Sequence, residues 1–99
     1  MKLPEDPFIL ELLPEFLDEW IKDMDTKFPE IIQSRNSEDL YRFGHTLKGS
    51  CFQFGLDEVA ELGITLMGHA TAGDWEKAAA MQVPLTNGFK EMKIMLESM

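Results

Sequence analysis

Apolar side chains recur every three or four positions along most of this chain, and this spacing predicts α-helices throughout. One long helix is predicted to begin at Pro14, a residue well suited to a first helical position, and to continue towards Arg35. Its apolar stripe consists of Phe16, Leu17, Trp20, Ile21, Met24 and Phe28. Because Ile31 and Ile32 resume this stripe, Pro29 is expected to bend the helix rather than end it.

Capping residues mark the limits of the later helices. Asn36 or Ser37 can accept hydrogen bonds from the free amides of the next helix, and Gly55 can supply its left-handed end. A further helix is predicted from about position 57 to 72 and is closed by Gly73. A last helix, capped by Asp74, runs from there to the C-terminus.

Prolines near both ends complete the predicted architecture. Pro4 and Pro7 open a short helical piece through Leu13, and Pro84 is expected to bend the last helix. Four main helices joined by loops of a few residues favour antiparallel neighbours. The sequence therefore predicts an all-α fold, an antiparallel up-down four-helix bundle with a short additional N-terminal helix, as one domain spanning residues 1–99.

Charge and composition narrow the classes of partner. Eighteen acidic against nine basic residues give a net charge of −9, which disfavours nucleic acid and anionic membranes as partners. No apolar run reaches the roughly 18 residues that a membrane span needs, and the first residues do not resemble a signal peptide. The single cysteine, Cys51, has no internal partner, and no cysteine and histidine cluster has zinc-ligand spacing. We expect a cytoplasmic protein, monomeric and without a metal site.

The helix that carries His45 combines an outward histidine with unusual neighbours. Its predicted core stripe consists of Leu40, Phe43, Gly44, Leu47, Cys51 and Phe54. His45 points away from that stripe, so its imidazole is expected to be exposed in the middle of a rigid helix. Lys48 and Gly49 follow three and four residues later and therefore lie beside it. His69, the other histidine, has no Lys-Gly step after it and is interpreted as an ordinary surface residue.

Several residues near His45 are candidates for contact with a partner. Gly49 inside a helix costs about 1 kcal/mol relative to alanine. Either the approach of a partner or packing against a neighbouring helix explains its presence. Tyr41 and Phe52 are candidates for an apolar docking patch, unless the N-terminal helix covers them. Arg42 and Gln53 complete the set of candidate partner-binding residues.

This segment resembles the signature of histidine-containing phosphotransfer (HPt) domains, H-x-x-K-G-S with a glycine five residues after the serine. The matching residues are Arg42, His45, Thr46, Leu47, Lys48, Gly49, Ser50 and Gly55. The resemblance implies that His45 accepts a phosphoryl group from the aspartyl phosphate of a receiver domain and passes it to another receiver. Lys48 would offset the negative charge, and Gly49 would give the partner access.

The same resemblance implies which partners and cofactors to expect. The partners would be receiver domains of response regulators, with a hybrid sensor kinase as a further alternative. The chain has no nucleotide-binding loop and no carboxylate cluster beside His45. No cofactor is therefore expected, and the catalytic carboxylates and Mg²⁺ would come from the receiver. The chain would be a phosphocarrier in a phosphorelay rather than an enzyme.

Three positions depart from the pattern of the HPt family, and one rival interpretation stays open. Gly44 stands where alanine is common, Cys51 where a small hydroxyl residue is common, and Met67 where an acidic residue often follows the leucine. The rival is a non-phosphorylated acidic helical adaptor that binds a protein partner. The presence of both His45 and Lys48 argues against it, because a pure adaptor needs no nucleophile.

Overall fold

The computed structural model describes residues 2–99 and is helical almost throughout. Six helical segments follow one another, and residues 2–99 contain no β-strand. They are α1 (Pro7–Asp25), α2 (Lys27–Ser34), α3 (Ser37–Gln53), α4 (Asp57–Ala72), α5 (Trp75–Ala80) and α6 (Gln82–Glu97). Thr26 alone separates α1 from α2, and Met81 alone separates α5 from α6. The all-α prediction is confirmed.

The predicted boundary between a short N-terminal helix and a second helix at Pro14 is wrong. α1 begins at Pro7, where the Asp6 side chain accepts a hydrogen bond from the Phe8 amide at 2.9 Å, and it passes through Pro14 without ending. The proline removes one backbone hydrogen bond, but its ring is exposed. The neighbouring Leu13 is fully buried, so packing of this turn offsets the loss.

Pro29 and Pro84 do not bend long helices in the way the sequence pattern indicated. The helix predicted from Pro14 towards Arg35 is interrupted at Thr26, whose hydroxyl donates to the Lys22 carbonyl at 2.8 Å. Pro29 is therefore the third residue of a new helix, α2. The last helix likewise breaks at Met81, and Pro84 is the third residue of α6. The first amides of a helix have no partner within it, so proline is tolerated there.

Capping residues set the ends of α3 and α4 as predicted. The Asn36 side chain accepts from the Asp39 amide at 3.1 Å at the start of α3. Gly73, with a φ of 66°, ends α4 in the left-handed region, and the Asp74 side chain then accepts from the Lys77 amide at 3.1 Å. These ends hold α3 and α4 at lengths of 17 and 16 residues.

Buried side chains from every long segment form one core cluster. Its largest fully buried members are Phe28, Phe89, Leu13, Leu17, Met24, Leu40, Leu47, Leu56, Leu66, Leu85, Met92 and Val59. Trp20 joins three segments, because its ring lies 5.8 Å from that of Phe89 on α6 and 5.6 Å from that of Phe43 on α3. Cys51 is fully buried, as predicted, and burial raises the pKa of its thiol to about 12, so it is a neutral core group.

Two contacts show that α1 and α6 pack against each other in antiparallel orientation. The Lys93 ammonium donates to the Asp18 carboxylate at 2.7 Å. Further along α1, the Gln82 side-chain amide donates to the Met24 carbonyl at 2.9 Å. Among residues 2–99 no helix has the length and apolar character required to cross a membrane.

Candidate functional site

Helices α3 and α4 touch through two glycines. A Cβ atom on Gly44 would lie 3.0 Å from Met67 Cγ and 3.1 Å from the Gly63 carbonyl oxygen. A Cβ atom on Gly63 would lie 2.9 Å from Leu47 Cδ2 and 3.1 Å from the Lys48 amide nitrogen. The backbones therefore approach more closely than side chains on these positions would allow. Two of the departures from the HPt pattern, Gly44 and Met67, contact each other here.

This contact fixes which face of α3 points outward. Leu40, Leu47 and Cys51 are fully buried beneath the helix. His45 lies in the middle of the same helix and is exposed, which confirms the orientation predicted from the helical period. The ring of Tyr41, one turn earlier, lies with its centroid 6.4 Å from that of the imidazole. The imidazole is therefore open to solvent on a rigid element.

Lys48 is less exposed to solvent than His45. Its backbone lies against Gly63 on α4, and its side chain is half-buried. Among residues 2–99 its ammonium forms no ion pair, whereas the cations of Lys27, Lys77 and Lys93 each pair with an aspartate. An ammonium one helical turn from His45, with no internal partner, is available for an anion that arrives at the imidazole.

Gly49 lies on open surface. No heavy atom would come within 4 Å of a Cβ atom placed on it, and the residue is exposed. The alternative that this glycine packs against a neighbouring helix is therefore wrong. Because packing does not require a glycine here, its cost to the helix of about 1 kcal/mol relative to alanine has no structural compensation.

Replacing Gly49 with alanine is expected to stabilise the protein. The side chain meets no neighbour, and alanine removes backbone freedom from the unfolded chain, so the free energy of unfolding should rise by about 0.5–1 kcal/mol. Urea denaturation followed by circular dichroism measures this change. A loss of stability would show that the helix needs a glycine at this position for a structural reason.

The two aromatic residues of the predicted docking patch are uncovered. Tyr41 is 43% exposed and Phe52 is 42% exposed, so the N-terminal part of the chain does not bury either ring. Both lie on the outward face of α3 with His45, one turn before it and two turns after it. Gln53, the last residue of α3, is exposed as well.

Arg42 is exposed but is engaged elsewhere. Its guanidinium donates to the Glu38 carboxylate at 3.0 Å and lies 3.8 Å from that of Asp39, both in the first turn of α3. The side chain borders an open groove of about 490 Å³ that also contains the rings of Trp20 and Phe43. Arg42 is therefore exposed one turn before His45 on the same helix, with its guanidinium paired to the acidic residues of the first turn of α3.

One exposed apolar residue on this surface was missed by the sequence reasoning. Ile64 on α4 is 42% exposed. Because Gly44 lies against Met67 and Lys48 lies against Gly63, Ile64 falls between these two levels, beside the turn that carries His45. Its position follows from the pairing of α3 with α4. The helical period of either segment alone does not reveal it.

Comparison with known proteins found no matching family model, no matching curated sequence and no matching solved structure. Across residues 2–99 no three histidine, cysteine or acidic side chains come together in a group that could hold a metal ion. The chemistry of His45, Lys48 and the open surface around them therefore carries the functional argument.

Proposed function

We propose that this protein is a phosphohistidine carrier of a multistep phosphorelay, a domain of the HPt type that accepts a phosphoryl group on His45. The observation that carries the proposal is the exposed imidazole in the middle of α3 beside an unpaired ammonium, Lys48, and an uncovered glycine, Gly49. A rigid mid-helix position suits in-line phosphoryl transfer, which depends chiefly on positioning and on neutralisation of charge.

The arrangement of the helices supports the same proposal. The reversed pairings of α1 with α6 and of α3 with α4 fit an antiparallel up-down four-helix bundle, in which α1 continues into α2 and α5 into α6. In that bundle α3 presents its outward face along its whole length. The proposal includes a single monomeric domain that works in the cytoplasm.

The proposed transfer step involves one bond formed and one bond broken. The lone pair of the unprotonated imidazole nitrogen of His45 attacks the phosphorus of a receiver's aspartyl phosphate. The bond between phosphorus and the acyl oxygen breaks, and its electron pair leaves with the receiver's carboxylate. The resulting phosphoramidate keeps a high transfer potential, so the group can pass to a second receiver by the reverse step.

The receiver would provide what this chain lacks. Its active-site carboxylates would hold Mg²⁺, which neutralises the phosphoryl oxygens during transfer. The chain would contribute the nucleophile, the Lys48 charge and an apolar docking surface formed by Tyr41, Phe52 and Ile64. The acidic remainder of the surface, with a net charge of −9, would discourage other phosphate-bearing partners.

Phosphotransfer from an isolated receiver domain tests the proposal. The receiver is labelled on its aspartate with radioactive acetyl phosphate, freed from excess reagent and mixed with this protein. We expect the label to move to the protein and to be lost in acid while persisting in alkali, as a phosphoramidate does. Failure with every receiver of its own organism would contradict the proposal and would leave the adaptor interpretation.

Lys48→Ala is expected to slow transfer about tenfold or more without unfolding the protein. The ammonium lies one helical turn from His45, and a unit charge at that range stabilises a phosphoryl group by one to a few kcal/mol. Lys48→Arg, which keeps the charge, should recover most of the rate. The matched control is Lys90→Ala on α6, an exposed lysine that should leave the rate unchanged.

Equal rates for Lys48→Ala and Lys90→Ala would show that Lys48 does not act on the phosphoryl group. Circular dichroism and urea denaturation of each variant separate a change in rate from a change in folding. A cooperative loss of structure in Lys48→Ala would instead assign the lysine to the contact between α3 and α4.

A further inference from the structure

The outward face of α1 carries an apolar patch bordered by acidic residues, whereas the residues assigned to the surface around His45 lie on α3 and α4. Phe8 is 76% exposed and Leu12 is 54% exposed. They are four residues apart, so they adjoin each other on the helix. Among the large apolar side chains exposed within residues 2–99, no other two are neighbours of this kind on one helix.

Two glutamates continue the same face towards the middle of α1. Glu15 and Glu19 follow Leu12 at spacings of three and seven residues and are exposed. Glu11 lies at the edge of the patch, and Glu5 is an exposed residue just before the Asp6 cap of the helix. No ion pair of these four glutamates is formed among residues 2–99.

The exposed apolar patch is not needed to attach α1 to the protein, because the opposite face of α1 already packs on the core. Leu13, Leu17 and Met24 are fully buried and attach the helix to the core. Phe8 adds nothing to that core and leaves a large apolar area in water. The negative charge of the four glutamates disfavours contact of the patch with a second copy of the chain, with anionic membranes and with nucleic acid, since all three carry negative charge.

We propose that this face of α1 binds a basic amphipathic helix of a partner protein. The apolar turn of that helix would cover Phe8 and Leu12, and its lysine or arginine residues would meet Glu15 and Glu19. Complementary charge would steer the encounter, and burial of the two apolar side chains would hold the complex. This surface would act independently of phosphoryl transfer at His45.

Binding of synthetic peptides tests the proposal. The probe is a fluorescein-labelled peptide of leucine and lysine, about 18 residues long so that a helix can form, with its apolar residues on one face. The comparison peptide has the same composition in scrambled order and no apolar face. Fluorescence anisotropy is measured with the whole protein at several salt concentrations.

We expect the amphipathic peptide to bind about tenfold or more tightly than the scrambled one. The double variant Phe8→Ser and Leu12→Ser should lose at least about tenfold in affinity, because it removes the apolar contact. The matched control is Ile94→Ser on α6, which is 64% exposed and should stay within about twofold of the original protein. Circular dichroism verifies that each variant is folded.

The charge is tested separately with Glu15→Gln and Glu19→Gln together. Binding of the original protein should weaken as salt rises from 0.05 to about 0.5 M, and the glutamine variant should show a shallower dependence. Equal affinity for the two peptides, or equal losses in the α1 and Ile94 variants, would overturn the proposal. Binding to neutral lipid vesicles that requires Phe8 and Leu12 would also overturn it, because the patch would then serve a membrane.

Discussion

His45→Ala is expected to abolish the acid-labile phosphoryl label, a loss of at least about a thousandfold in transferred label. The imidazole supplies the nucleophile, and no other exposed side chain that the structure describes on that face carries an imidazole nitrogen. The measurement is the initial rate of label transfer from a phosphorylated receiver. The matched control is His69→Ala on α4, where the histidine is half-buried and no lysine follows it one turn later.

The outcome separates three explanations. Loss of label in His45→Ala with full transfer to His69→Ala supports the carrier role. Equal labelling of both variants would place the phosphoryl group elsewhere, and an acid-stable label would indicate a hydroxyl such as that of Ser50. Because His45 is exposed, its replacement should not change the free energy of unfolding by more than about 0.5 kcal/mol.

The helix ends show why some parts of the fold could be predicted from the sequence. Asn36 and Asp74 cap α3 and α5 through amides only three residues away, so the pattern contains both partners of each hydrogen bond. The effect of a proline depends on where the first turn falls. Asp6 and Pro7 begin α1 early, which places Pro14 in the interior of a helix that packing already holds.

Some features of the candidate site could also be predicted from the sequence, and others could not. The exposure of His45 follows from the period of one helix, and so does the burial of Cys51. The roles of Gly49 and Ile64 depend on which atoms of α4 lie against α3. That pairing is set by the contact of Gly44 with α4, which connects residues far apart along the chain.

A related consequence concerns the family resemblance. Gly44 and Met67 each depart from the HPt pattern, and in the sequence they are unrelated positions. In the structure Met67 Cγ lies 3.0 Å from the position that a Cβ atom on residue 44 would take. The two departures therefore lie at one contact, where the glycine on α3 leaves room for the methionine on α4.

The strongest effect on stability is expected from the pair Gly63→Ala and Gly68→Ala, two changes within the same helix. Alanine at Gly68 meets no atom within 4 Å, so this variant should gain about 0.5–1 kcal/mol in free energy of unfolding. Alanine at Gly63 would meet backbone atoms of α3 at 3.1 Å and force the helices apart. It should therefore be less stable than Gly68→Ala by about 1–3 kcal/mol.

Both variants replace a glycine with alanine in the middle of α4, so the gain from helix propensity is the same in each. The difference between their free energies of unfolding therefore reports the close contact alone. Urea denaturation with a common slope gives the two free energies. Equal stabilities would mean that α4 does not lie on the backbone of α3. Since a Cβ atom on Gly63 would lie 3.1 Å from the Lys48 amide nitrogen and would displace that turn of α3, we also expect Gly63→Ala, and not Gly68→Ala, to slow phosphoryl transfer while the protein remains folded.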